Sequence, residues 1–236
     1  MANYSDRKQP AASETENILS RKVYTILRDD IAAGRLKPGE RLVRKTLSQR
    51  LGVSTIPIIE ALYMLEVDGY VESRPLCGCR VRNLTLEDVD NAMMLREALE
   101  CQVARLCAEV AKPEDFEHLL TLATQVDRFI RSDTPDPSRG NQLHFDFHMA
   151  LGKLSGHSIF VDLLRRVWFQ RYMSLNSIKA IRLRAIPEGW HESLVRKLAS
   201  GNPDEAERAM REHVRFGRQD DRAALELYLK DIRKAH

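Results

Sequence analysis

From Leu84 to the C-terminus the chain shows helical periodicity and no strand-like alternation, which constrains its fold more than any other feature. The long amphipathic stretches break at Pro113, at "SDTPDPSRG" (132–140), at Gly156, at "IPEG" (186–189) and at "SGNPD" (200–204). Pro and Gly at such points end one helix and let the chain reverse into the next. Helices that each carry one apolar stripe bury it by packing together, so residues 84–236 are expected to form an antiparallel helical bundle.

Residues 18–83 read differently. Val23, Ile26, Leu27 and Ile31 recur at helical spacing from Ile18 to Ala33, and Gly34 stops that helix. "LKPGERL" reads as a turn punctuated by Pro38 and Gly39. A short helix to about Arg50, a tight turn through Gly52 and a second helix to about Asp68 follow. Ser54 or Thr55 is placed to cap the second helix, with Pro57 in its first turn and Ile58, Ala61, Leu62 and Leu65 on one face. "GYVESRPLCGCRVR" then gives two β-prone runs around Pro75 and Gly78. Helix, helix-turn-helix and hairpin in that order predict a winged helix-turn-helix over 18–83. The polar residues 1–17, without the apolar core of a signal peptide, are expected to be a disordered tail. The expected fold class is therefore mainly α, an N-terminal winged helix-turn-helix followed by an all-helical antiparallel bundle.

The charge is uneven between the two parts. Residues 1–83 carry 14 Lys and Arg against 10 Asp and Glu, whereas residues 84–236 carry 23 against 24. Within 35–50, "RLKPGERLVRKTLSQR" has six basic residues and one acidic, which suits either a polyanion or a solvated helix face. No apolar run approaches the ~20 residues that span a bilayer. Cys77, Cys79, Cys101 and Cys107 are too few and scattered for a disulfide framework, so a cytoplasmic protein is expected.

His144 and His148 in "HFDFH" lie four residues apart, slightly more than one turn, beside the apolar stripe of Leu143, Phe147, Leu151 and Leu154. His191 shares a stripe with Leu194, Val195 and Leu198, and His213 lies among Ala206, Ala209, Met210 and Phe216. Three helices thus aim imidazoles at one core, where each needs a hydrogen-bond partner or a metal. Imidazole-rich sites suit zinc, nickel or copper. His118, His157 and His236 lack such company and read as structural or exposed. Arg96 and Glu100 fall one turn apart within the inward stripe of Val89, Ala92, Met93, Leu99 and Val103. A guanidinium there must be paired, either with Glu100 or with a ligand's carboxylate.

"GRLKPGERL", "LSQRLGVS", "P-x-x-E-A-L-x-x-L-E-x-D-G-Y-V" and "RPLCGCRV", followed by "REALE" (96–100), the Phe-His of 147–148 with a following Ser-Gly, and His191 with His213 at +22, together resemble the GntR superfamily of bacterial transcription regulators. The branch is the one typified by FadR, with an all-helical FCD ligand-binding domain. The resemblance implies a homodimer on double-stranded operator DNA, and a divalent metal and small carboxylate effector in the helical domain. Metal-binding members hold the ion with an Asp and three His; His144 stands at the Asp position, which implies His144, His148, His191 and His213 as ligands. Zinc is the first expectation and nickel the second. Arg96 and Glu100 are the implied effector residues. Arg44, Lys45, Ser54, Thr55, Arg74 and Arg80 are the implied DNA contacts. Thr55 and Ile59 replace arginines the family commonly places there, so base readout should differ. The chain is expected to be a regulator and not an enzyme. A metalloenzyme acting on a small organic acid, and a DNA-binding module whose bundle only dimerises, remain the alternatives.

Overall fold

Helix α1 (Ala11–Ala32) buries Val23, Leu27 and Ile31 at four-residue steps and turns out of the helix at Gly34, where φ is +70°. The computed structural model describes residues 11–74, 78–131, 137–176 and 186–234. The helix begins at Ala11 rather than at Ile18, so residues 11–17 are not the expected tail; residues 1–10 lie outside the described residues. "AASETEN" contains good helix formers but no apolar stripe, and periodicity is blind to such a start.

The chain divides into two compact units, Met1–Asn83 and Leu84–His236. In the first, α1 packs on α3 (Thr55–Val67), whose Ile58, Ala61, Leu62 and Leu65 are buried. Helix α2 (Arg44–Leu51) buries Leu47 and ends on Gly52 in the left-handed region at φ +66°, whose N–H donates to the Ser48 carbonyl. That cap makes the tight turn into α3. Ser54 occupies the N-cap of α3, extended as expected, but its side chain makes no capping bond.

Three antiparallel strands follow the order β1–β3–β2: β1 (Arg41–Leu42), β2 (Val71–Arg74) and β3 (Gly78–Val81). Val71 pairs with Val81 and Arg74 with Gly78; Arg41 pairs with Arg80. Strand β1 corrects the expectation of a plain turn over "LKPGERL". Two residues are too short for alternation to register; the strand forms because Leu42 is buried and the Val81 N–H donates to the Glu40 carbonyl. The hairpin tip, residues 75–77 with Cys77, lies outside the described residues.

The second unit is helical throughout its described residues: α4 (Leu86–Val110), α5 (Pro113–Ile130), α6 (Pro137–Leu154), α7 (Ser158–Asn176), α8 (Trp190–Leu198) and α9 (Pro203–Lys234). Thr85 and Asp88 form a reciprocal capping box at the start of α4, and Pro113 opens α5. Helix α4 packs against α9 and α7, and α5 against α6 and α8. Val103, Leu119, Ala123, Phe147, Leu151, Leu164, Trp168, Leu198 and Met210 make the core. Truncating one of its leucines to Ala would cost about 2–5 kcal/mol. Arg96, Glu100, Asp127, His148, His191 and His213 are also buried in this unit, and they define its site.

Candidate functional site

Helices α4, α6, α8 and α9 bring the predicted imidazoles and the Arg96–Glu100 pair together. His148 Nε2 lies 3.1 Å from His144 Nε2 and 3.3 Å from His213 Nε2. Ring nitrogens of these three residues all fall within 4.8 Å of one another. His191 stands beside them, its ring centroid 4.9 Å from those of both His144 and His213. His148, His191 and His213 are buried and His144 is half-buried.

The spacing and the donor chemistry both fit a shared cation. Two nitrogens held at about 2.0–2.1 Å from one zinc ion at the tetrahedral angle stand about 3.3 Å apart. His148 Nε2 meets two imidazole nitrogens and, at 3.4 Å, the Nη2 of Arg96. Its one lone pair can accept only a single hydrogen bond. A metal ion satisfies several imidazole lone pairs at once, so the residues fit the group.

Two carboxylates fix the rings. Asp127 on α5 takes the His191 Nδ1–H at 2.6 Å and also accepts the backbone N–H groups of His191 and Glu192. It thereby caps α8, whose N-cap Gly189 offers no side chain. With its proton on Nδ1, His191 presents Nε2 as the lone-pair nitrogen, the arrangement that orients a metal-binding imidazole. Glu100 Oε2 faces His148 from 3.0 Å on the Nδ1 side of that ring, leaving Nε2 toward the cluster. Asp127 was not among the sequence expectations. It follows Val126 in α5, and its partners lie more than 60 residues away, which no local spacing reveals.

Glu100 has little capacity for anything else. Its carboxylate accepts from Arg96 Nε at 2.7 Å, from the Trp168 indole N–H at 2.6 Å, and faces His148. The Arg96 guanidinium lies over the Trp168 ring, 4.0 Å from its centroid. Burial alone would raise the Glu100 carboxyl, but Arg96 and His148, by charge and hydrogen bond, outweigh it and hold it at about 2. Burial pushes His148 down against the pull of Glu100, to about 4, so the ring is neutral and able to ligate at pH 7. For Asp127, burial again opposes ionisation, and the hydrogen bond and charge of His191 with the two backbone N–H groups prevail, lowering it.

In the first unit, Arg44 and Lys45 are the first two residues of α2 and are exposed, as are Ser54 and Thr55 at the start of α3. Arg74 ends β2 and pairs with Glu72 at 2.9 Å; Arg80 on β3 is half-buried between Arg41 and Glu72 of the neighbouring strands. His118 and His157 are exposed and join no cluster among the described residues, and His236 lies outside them.

Comparison with known proteins covers both units. Residues 19–81 match the family described as bacterial regulatory proteins, gntR family, and residues 91–216 match the FCD domain. The HTH-type transcriptional repressor RspR of Escherichia coli K12 is 27% identical over 201 residues, 83% of this chain and 86% of its own. The Uxu operon regulator of Haemophilus influenzae is 24% identical over 221 residues, 84% of this chain and 81% of its own. Among solved structures, E. coli McbR/YncC superposes with a TM-score of 0.71 at 21% identity, over 89% of this chain and 98% of that one, a likeness of fold.

Proposed function

For a chain that belongs to the gntR-family bacterial regulatory proteins and carries an FCD domain, we propose a transcriptional regulator whose helical unit binds one divalent metal and a small carboxylate effector. His144, His148, His191 and His213 would hold the metal, with zinc favoured over nickel because four ligands in a compact set suit tetrahedral coordination. The observation that carries this reading is the convergence of three ring nitrogens within 4.8 Å, with His191 alongside and carboxylates behind His148 and His191. The bound metal would supply positive charge in the protein interior, which suits an anionic ligand.

Glu100 is reassigned in this proposal. A carboxylate that already serves Arg96, Trp168 and His148 would repel an acidic effector, so its role is to position His148 and Arg96 rather than to touch the ligand. Arg96 turns Nη2 toward the imidazoles, 3.4 Å from His148 Nε2, where a carboxylate at the cluster would meet it. Effector binding would shift the placement of the DNA-binding heads only by as much as its affinities for the two states differ. Two heads in a homodimer would read a two-fold related operator, with Arg44, Lys45, Ser54, Thr55, Arg74 and Arg80 facing the DNA.

The test is DNA binding by the full-length chain with added zinc, with chelator, and across a panel of small carboxylic acids. A metal-dependent change in DNA affinity that one class of acid evokes, and that Arg96→Lys abolishes, is the expected result. DNA affinity indifferent to zinc, chelator and every acid would remove the effector reading.

A further inference from the structure

The outward face of α3 is apolar. Ile56, Ile59, Tyr63 and Val67 recur at helical spacing and are 54%, 41%, 67% and 59% exposed, while the opposite face buries Ile58, Ala61, Leu62 and Leu65. The helix, "TIPIIEALYMLEV", contains no Lys, Arg, Asn or Gln. Its two carboxylates are tied sideways: Glu60 accepts from the Ser20 hydroxyl on α1, and Glu66 accepts from the backbone N–H and hydroxyl of Ser73 on β2. At the preceding helix the exposed Arg44 and Lys45 supply positive charge, joined by exposed Arg41 on β1 and Arg74 on β2.

From this face we infer that the operator is read chiefly through thymine 5-methyl groups, with Ile56 and Ile59 of α3 as the specificity-determining residues. The inference rests on the DNA-binding reading of this unit and deepens it. An apolar stripe bordered by basic residues suits a surface whose rim is phosphate and whose floor offers something apolar. In the major groove that something is the thymine methyl, the largest apolar group on any base edge there; cytosine has only a C5–H at the same position. A·T and G·C pairs each present three hydrogen-bonding groups in the major groove, so the cost of covering them with isoleucine is common to both and the methyl decides between them. Isoleucine placed against thymine removes two apolar groups from water. Selectivity therefore comes from the methyl contact itself, without the bidentate guanine contacts that an arginine would make. The basic residues of α2 and the strands hold the helix in the groove through phosphates, which carry affinity but no sequence.

Replacing thymine by deoxyuridine deletes that methyl and leaves the pairing edges intact, so it isolates the contact. Full-length protein is used to select from random-sequence 30-base-pair duplexes. The selected duplex is then remade with deoxyuridine at one thymine position at a time. Selected half-sites should be centred on A·T pairs, and affinity should fall about fourfold for each contacted methyl, the value of one buried methylene-sized group. Ile56→Ala and Ile59→Ala, exposed positions where alanine favours the helix, should each lose sensitivity to deoxyuridine at a single position. Both should keep wild-type melting and the salt-dependent, non-specific component of binding. G·C-centred half-sites, or a duplex bound equally well with deoxyuridine, overturn the inference while leaving DNA binding standing. A change in oligomeric mass on Ile59→Ala with unchanged sequence preference overturns it in favour of a protein-docking face. Failure to bind any duplex in a salt-dependent way overturns the DNA-binding reading and this inference with it.

Discussion

The two units place their side chains against expectation in opposite directions. In the first, four apolar side chains of α3 face water. In the second, Arg96, Glu100, Asp127 and three imidazoles are buried in a helical core. An exposed apolar stripe forgoes hydrophobic stabilisation, and a buried charge is costly unless paired. In each unit the misplaced residues cluster on one face or around one point, where a binding partner would compensate them. The difference lies in how the free protein manages: the helical unit pairs its charges internally through Glu100 and Asp127, whereas the outward face of α3 stays open.

The sharpest way to break this comparison is to remove the internal pairing. Glu100→Ala leaves Arg96 buried without its carboxylate and should destabilise the helical unit by about 3–5 kcal/mol, while the melting of the N-terminal unit stays unchanged. Chemical denaturation followed by unit-specific probes reads the two separately. Equal loss in both units, or none, would show that the pair is not what stabilises the helical core.

A smaller effect is expected at Asp127. Asp127→Asn retains size but loses the charge that orients His191 and receives the N–H groups of α8. Zinc affinity should drop about 10–100-fold, as for other outer-shell partners of a ligating histidine, with the fold preserved. Competition with a chromophoric chelator measures this directly, and unchanged affinity would place His191 outside the metal set.

Acid should then separate the units. In metal-free protein, His148 is held at about 4, below the ordinary 6.5, so between these values the unfolded chain binds a proton that the folded chain does not. Stability of the helical unit should fall as pH drops through that window. Glu100, held at about 2 against an ordinary 4.5, extends the loss below pH 4.5. In the first unit, Tyr24 is raised by burial and by its hydrogen bond to Asp68 from 10 to about 12. Its contribution is complete below pH 10 and lost as pH rises toward 12. Melting curves across pH should show the helical unit failing first in acid, whereas in alkali both units weaken, the helical one because burial also raises Cys101 from 9 to about 11.

The smallest expected effects are at the phosphate-facing positions. Arg44→Ala and Lys45→Ala should each lower DNA affinity uniformly across sequences and reduce the salt slope by about one. A sequence-dependent loss would instead make either residue a base reader.

The sequence shows most of the second unit's design, because inward histidines keep the helical period of their apolar neighbours: Leu151 with His148, Leu194 with His191, Met210 with His213. Asp127 and Trp168 were illegible as site residues, since their roles arise only when α5 meets α8 and α7 meets α4. Glu100 was legible as a partner of Arg96 but not as a support for His148, 48 residues away in sequence. Strand β1 escaped detection because two residues carry no pattern. In helix α3 the face of Ile58, Ala61, Leu62 and Leu65 is legible in the sequence and is buried against α1, but the second apolar stripe, with Ile59 and Tyr63, is seen to stay exposed only in the folded unit.

Titration of metal-free full-length protein with zinc, read by calorimetry and by elemental analysis of the product, tests the histidine centre most directly. One ion per chain for the native sequence, and a large loss of affinity in each of His148→Ala and His213→Ala with the fold retained, is the expected result. No zinc or nickel uptake by the native chain, or uptake unchanged in both variants, would contradict it.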